Sequence, residues 1–417
     1  MKSSFQTRWT FCAASLLLSA VVTGCQPSVE SAPQITISNP SPTERRDEIV
    51  RVSVTELGEP GQPLRGAAVV LDNGRKIVPG QWLDEDLDSQ PDTLLFSVSL
   101  EANGKASYRL READKISLQT RTYAELGKRY DAQRQDGVYT GGSFKAVEAM
   151  TLPEQHEIGD GLFKYEGPGW ESDKVAYRLY FDKRNVIDIF GKRQPELTLP
   201  QVGNVDAPSY HELQPWGMDI LKTGPSIGLG SLAVYQDKRA RRIDNSEQMT
   251  VSIRHSTPLY SEVEVSHQGF VGETGQADID ARYGIEAGSA LTQVTVSAEG
   301  ELPQWVTGIV KHESQLMQSG DHQAGPWRYI ATYGDQSYIN DGLGMVVFYR
   351  QTDVQTLTQD EHNHLVVMKP SLQTLEYYFG GYWQQGPDAI GSKAQFQDML
   401  EHELIKLNQP LLVQVEH

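Results

Sequence analysis

Cysteine is nearly absent: the 417-residue chain has two, Cys12 and Cys25, and none after them. A domain folded from the remainder has no disulfide to stabilise it and no thiolate nucleophile, so cysteine catalysis is excluded. Positive charge is scarce too, with 37 Lys and Arg against 55 Asp and Glu and a net charge of −18. That balance disfavours nucleic acid as a partner, and an acidic substrate has to find a local basic pocket. The one basic run, Lys238, Arg239, Arg241 and Arg242, has the length of a solvated turn. No internal repeat is visible, and Gly224-Pro-Ser-Ile-Gly228-Leu-Gly230 lacks the spacing of a phosphate loop.

Long apolar runs are also missing apart from Phe11 to Val22, which is too short to span a bilayer comfortably. Lys2 and Arg8 precede it, and it ends in Val22-Thr23-Gly24-Cys25, which resembles a bacterial lipoprotein signal with its lipobox. The expectation is a signal peptide over 1–24, lipidation at Cys25 and, with Gln26 next, sorting to the outer membrane, facing the periplasm or the cell surface. Ser, Pro and Glu dominate residues 25–42, a flexible tether by composition, with the globular part expected to begin near Ile35. Residues 43–417 are long enough for a single large domain with an N-terminal β portion.

What is abundant is period-two alternation. Leu94, Phe96, Val98 and Leu100 alternate, and after Ser231 such runs recur at short intervals: 232–235, 249–255, 260–267, 290–297, 305–312, 327–333, 345–350 and 364–368. The fold class expected is mainly all-β, a large antiparallel sandwich. One stretch departs from it. Ser392 and Gln395 have the spacing of a capping box, and Phe396, Met399, Leu400, Leu404 and Leu407 recur at helical spacing, predicting a short C-terminal packing helix. Residues 115–135 fit strand or helix equally.

The chemistry concentrates between Tyr165 and Lys222. Val175, Tyr177, Leu179 and Phe181 alternate with Ala176, Arg178 and Tyr180, so Arg178 and Tyr180 share a strand face. A turn at Asp182–Asn185 and a second strand through Val186, Ile187, Ile189 and Phe190 follow, then Tyr210, His211, Trp216 and Asp219 around a glycine-containing loop. Earlier, Asp84, Asp86, Asp88 and Asp92 take the first, third, fifth and ninth places of a loop suited to calcium. Ser89 stands at its sixth place, where such loops carry glycine, and the twelfth lacks glutamate; the competing reading is an acidic solvated turn.

The pieces ISNPSPTERRDEIV, GWESDKVAYRLYFDKRNVIDIFGK, YHELQPWGMDILK, VTGIVKH, TYGDQSYINDGLGMVVFYR and LVVMKP resemble a family of secreted bacterial proteins catalogued as a domain of unknown function and found among polysaccharide-utilisation genes. The resemblance implies a galactose-mutarotase-like β-supersandwich and carbohydrate work. An oligosaccharide dehydratase of ulvan breakdown, which eliminates water from a terminal uronic acid, is the relative it suggests. The function expected is therefore a carbohydrate-active lyase or dehydratase acting by β-elimination on an anionic, uronate-containing oligosaccharide. The alternatives are a non-catalytic glycan-binding lipoprotein and a mutarotase-like epimerase.

Elimination needs a base, a cation on the carboxylate and an acid for the departing oxygen. Arg178 is the expected carboxylate fork, His211 the base, Asp219 its orienting partner, and Tyr180 or Tyr210 the acid. Trp216, Arg184, Lys192, His312 and His255 are the candidate substrate contacts. Each has a structural competitor: Arg178 as a buried ion pair, His211 as a backbone-bonded loop histidine, Tyr180 and His255 as sheet packing, Trp216 as a core plug. No cofactor is required; calcium in the acidic loop, in a structural role, is the metal candidate, and a zinc site built from His211, His255 and His312 has no spacing motif behind it.

Overall fold

Period-two alternation makes two-faced strands, and the chain stacks them into antiparallel sheets. The computed structural model describes Met1 and residues 32–61, 64–65, 67–272, 275–320 and 324–417, so residues 2–24 of the expected signal peptide and Cys25 lie outside the described residues. A nine-stranded sheet forms from most of the second half, ordered 149–151, 248–256, 260–271, 276–286, 291–300, 374–383, 342–350, 327–335 and 316–318. A five-stranded sheet runs 239–242, 233–236, 305–310, 363–368 and 354–359, and a six-stranded one runs 143–146, 122–130, 163–172, 176–179, 187–192 and 217–219. The fold is all-β and antiparallel, as expected. Residues 122–130, ambiguous in sequence, are a strand between 143–146 and 163–172.

These three sheets bury one continuous apolar core that includes Trp170, Phe181, Trp305, Phe348 and Phe379, each fully buried. Burying one such side chain stabilises by about 1.5–3 kcal/mol, so this core dominates the fold's energetics. The helix Lys393–Asn408 packs Phe396, Leu400 and Leu404 onto it. Ser392 caps that helix by accepting from the Gln395 N–H, while the Gln395 side chain reaches back one residue further, to the Gly391 N–H.

A seven-stranded sheet carries a second core of Ile35, Ile37, Val52, Leu71, Leu94 and Phe96, among others. It also corrects the tether. Gln34–Ser38 is a strand paired with Leu412–Glu416, Ile35 opposite Val415 and Ile37 opposite Val413, and Asn39 and Ser41 are buried and hydrogen-bonded to each other. The alternating isoleucines outweigh the Ser/Pro composition around them, so residues 34–42 belong to the fold. The helix is likewise not the chain's last element, because the strand Leu412–Glu416 follows it. Ala32–His417 cluster as one unit.

Candidate functional site

The strands Phe163–Ser172, Ala176–Leu179, Ile187–Lys192 and Gly217–Asp219 neighbour one another in the six-stranded sheet. Their register puts Arg178 opposite Asp188 and Phe190 opposite Asp219. With a period of two, Arg178, Asp188, Phe190 and Asp219 then share one face, while Tyr177, Leu179, Ile187, Ile189 and Met218 point into the main core. Gly217 makes the last strand possible: its φ is +136°, and a Cβ there would sit 1.8 Å from the Gly191 carbonyl oxygen.

Arg178 is 1% exposed and at the centre of that face. Its Nη2 donates to Asp219 Oδ2 at 2.6 Å, Asp188 Oδ2 at 2.8 Å and Tyr180 Oη at 2.7 Å. Nε donates to Asp188 Oδ2 at 3.2 Å, and Nη1 to the Tyr165 carbonyl and Tyr210 Oη, both at 3.3 Å. The Tyr165 carbonyl is brought there by a bulge in which Tyr165 and Glu166 adopt φ of +37° and +66°. Left-handed backbone at successive non-glycine residues is strained and persists only where its surroundings hold it. Burial works against charge on Arg178, but Asp219 and Asp188 hold it protonated well beyond the ordinary guanidinium range. Burial and the Asp219 charge push the Asp188 carboxyl up to about 6, against the pull of Arg178.

The fork expected to grip a substrate carboxylate therefore grips two of the protein's own. Every N–H-bearing nitrogen of the guanidinium is engaged. Tyr180 is spent in the same way, donating to Asp188 Oδ2 at 2.7 Å beneath the Arg184 guanidinium, 3.7 Å above its ring. Burial and Asp188 raise its pKa.

His211 differs: its side chain is 49% exposed, with Nδ1 3.3 Å from Asp219 Oδ2. Asp219 is thus shared between the buried guanidinium and the open imidazole. Tyr210 packs against the His211 ring at 4.5 Å, and its Oη accepts from Arg178, leaving its own proton uncommitted to that bond. Burial raises the Tyr210 pKa, with Arg178 opposing. On the other side Tyr338, 40% exposed, stacks 6.3 Å from His211. The exposed Lys222 lies over Tyr338, its Nζ 4.8 Å from the ring centre. His312, half-buried, has its pKa lowered by burial and then by Lys222, and no ring or hydrogen-bond contact joins it to His211 among the described residues.

Buried ion pairs fix the loop that carries His211. Lys192, expected at the substrate, is fully buried, donating to Glu171 Oε2 at 2.7 Å and to the Ser172 carbonyl. Glu171 accepts from the Thr198 and Leu199 N–H groups, and Lys164, paired with Glu125, donates to the carbonyls of Leu199 and Pro200. Two cation–carboxylate pairs thereby hold the loop by its backbone. Trp216 is half-buried, edge-on to Phe190 at 6.1 Å, as a plug.

Arg184 is tied to Asp182 and Glu166. His255 belongs elsewhere: it packs by Tyr260, and burial with Arg254 pushes its pKa down to about 4. In the acidic loop, oxygens of Asp84, Asp86 and Asp88 lie within 4.8 Å of one another. Asp92 does not join them; its Oδ2 accepts from the Glu85 N–H at 2.8 Å. Asp84 accepts from the N–H groups of Asp88 and Ser89, so the loop's carboxylates serve its own backbone, with Ser89 at φ +72° in the glycine place.

Sequence reading missed Asp188, Lys222 and Tyr338. Counting outward from the turn centred on Lys183 pairs Arg178 with Asp188, a signal that was present. Nothing local in the sequence marks Lys222 and Tyr338, which meet across a gap of more than a hundred residues.

A profile of the family described as Domain of unknown function (DUF4861) matches residues 37–413. The chain belongs to this family. A relative from Formosa agariphila, "Uncharacterized protein P7", is 20% identical over 394 residues, covering 92% of this chain and 93% of its own. Two solved structures are similar, at 9% identity and a TM-score of 0.45: a protein in the Glycosyl Hydrolase Family 38 from Enterococcus faecalis and an alpha-mannosidase from E. faecalis V583. Each match covers 93% of this chain but 48% and 46% of the solved ones, so the chain spans about half their length.

Proposed function

We propose that this DUF4861 protein is a carbohydrate-active lyase that performs β-elimination on uronate-containing oligosaccharides, His211 being its base. The observation that carries the reading is the open imidazole backed by a buried carboxylate: Nδ1 of His211 is 3.3 Å from Asp219, which Arg178 holds from behind at 2.6 Å. A carboxylate that close to Nδ1 stabilises the imidazolium formed when Nε2 takes a proton. Arg178 then acts as a positioning residue rather than a substrate contact.

In this reading Lys222 takes over the role first expected of Arg178. Its ammonium is exposed and sits on Tyr338 beside His211. A cation there neutralises the uronate carboxylate and acidifies the neighbouring C–H. His211 removes that proton, the electron pair forms the C=C bond, and the β C–O bond breaks, with Tyr210 supplying the proton to the leaving oxygen. Its raised pKa keeps that proton in place until the bond breaks.

The test is ultraviolet absorbance of the conjugated enol-ether carboxylate when purified protein meets saturated uronate oligosaccharides. His211→Ala, a half-exposed position, lowers kcat at least about a hundredfold with the fold intact, and Lys222→Ala raises KM. Full rate in His211→Ala refutes the assignment, and absence of any absorbance change across the substrates refutes the elimination.

A further inference from the structure

A cleft of about 840 Å³ opens away from His211, between the loop 151–158, the turn at Asp182 and Lys183, the segment 243–249 and His267. Sites for small ligands span roughly 300–1,000 Å³, so the space suits one or two sugar units. What makes it more than a void is the chemistry of its wall. His156 lines it with a side chain only 5% exposed, and its Nδ1 lies 3.0 Å from Asp160 Oδ2. Asp160 is itself fixed, accepting from the N–H groups of Leu162 at 2.8 Å and Glu157 at 3.2 Å. A carboxylate facing Nδ1 favours the tautomer that carries its hydrogen there, which leaves Nε2 as the acceptor. Yet Nε2 is buried and has no partner.

A second histidine stands at the same cleft. His267 lines it and contacts Ser246 Oγ through Nδ1 at 3.0 Å and Asn185 Nδ2 through Nε2 at 3.2 Å. Burial pushes its pKa down to about 4, so the ring is neutral at physiological pH. Asn185 Oδ1, behind that ring and not itself on the cleft wall, is buried and unpartnered. A buried acceptor of a lining residue without a donor calls for a ligand that brings one, because such groups are otherwise costly and rare.

Charge narrows the class. Five carboxylates line the cleft, on Glu154, Glu157, Asp182, Asp244 and Glu247, against the single cation of Lys183. Arg184 neutralises only Asp182, so an anionic ligand is repelled. The carboxylates are also too dispersed to hold a metal: among the described residues only Asp84, Asp86 and Asp88 bring three such oxygens within 4.8 Å of one another. Spread acceptors beside apolar Pro153, Ile158, Ile243 and Met249 match hydroxyls on a ring with C–H faces.

We propose that this cleft is a binding site for a neutral saccharide unit, with hydroxyls donating to His156 Nε2 and to the surrounding carboxylates. It stands on geometry separate from His211 and holds whether or not that residue is a base.

Saturation-transfer NMR on the purified chain tests it with cellobiose, xylobiose and maltose as neutral probes and with glucuronate and spermidine as charged ones. The variants are His156→Ala and Thr151→Trp; the latter puts an indole into the cleft from an exposed strand position, so folding does not depend on the substitution. At least one neutral disaccharide is expected to bind saturably and to weaken about tenfold or more in Thr151→Trp and in His156→Ala. The proposal is overturned if no neutral disaccharide binds, if binding survives Thr151→Trp unchanged, or if glucuronate or spermidine binds as tightly.

Discussion

Replacing Arg178 by methionine removes one buried cation from between two buried carboxylates, and the consequence can be worked out in magnitude and in pH dependence. Asp188 and Asp219 are 1% and 3% exposed, so neither can turn to water when the guanidinium goes. Breaking a buried pair by deleting one partner costs about 3–5 kcal/mol, because the orphaned charge stays in the low-dielectric interior. At an unfolding entropy of about 2.1 cal/mol/K per residue, the unit Ala32–His417 has about 0.8 kcal/mol/K, so a loss of about 4 kcal/mol lowers Tm by about 5 °C.

The sign with pH follows from the direction of the shift. Asp188 is already raised from 3.8 to about 6 with Arg178 present, and losing the cation raises it further. A carboxyl with a raised folded-state pKa binds its proton more tightly in the folded chain. Its contribution to stability is therefore full below the unfolded value and is lost as pH rises through the folded one. The deficit of Arg178→Met relative to the parent is expected to be full at pH 8 and mostly gone near pH 4. Urea unfolding followed by tryptophan fluorescence at both pH values reads it. A deficit that is the same at the two pH values, or under about 1 kcal/mol at pH 8, refutes the claim that the guanidinium is an internal counter-ion. The order of experiments matters as well, since lost activity in an Arg178 variant reports on the fold before it reports on chemistry.

The second buried pair makes an analogous prediction with a local readout. Lys192→Met leaves Glu171 charged at 0% exposure, and Glu171 holds the N–H groups of Thr198 and Leu199. A loss of about 3–5 kcal/mol is expected, with proteolytic nicking between residues 193 and 216 appearing before global unfolding; unchanged protease resistance of that loop counts against its being held by the pair. For the membrane address, cells expressing the full chain with a fatty-acid probe should label it, and Cys25→Ser should abolish the label; labelling that persists in the variant removes Cys25 as the lipid site.

Most of the sheet architecture was legible because its signal is local. Tyr260–Val271, Trp305–Val310 and Asn363–Met368 overlap the runs that alternation marks, since one buried face per strand writes itself directly into period two. The strand Thr374–Trp383 escaped: Phe379 is followed by Gly380 and Gly381, glycines that weaken a strand signal. Here they are required by packing. A Cβ at Gly381 would fall 2.9 Å from Ile189, and one at Gly380 2.8 Å from Leu291. Strand Leu412–Glu416 escaped for a different reason, being a short edge strand whose partner lies at the opposite end of the chain.

The site was legible in its membership but not in its electrostatics. Arg178, Tyr180, Tyr210, His211 and Asp219 do converge, as the strand face and the loop implied. What the sequence could not show is which charges cancel. A lone arginine on a strand looks like a free fork until register sets Asp188 opposite it and Asp219 on the next strand. The same arithmetic explains why an open cation matters so much in a chain of net charge −18. Arg178, Lys192 and Lys164 are all consumed by internal carboxylates, whereas Lys222 makes no ion pair with a described carboxylate. An anionic sugar arriving at His211 is met by the ammonium of Lys222 rather than by the guanidinium beneath it, so charge reversal at Lys222 is expected to weaken binding more than any substitution of Arg184, already paired with Asp182 and Glu166.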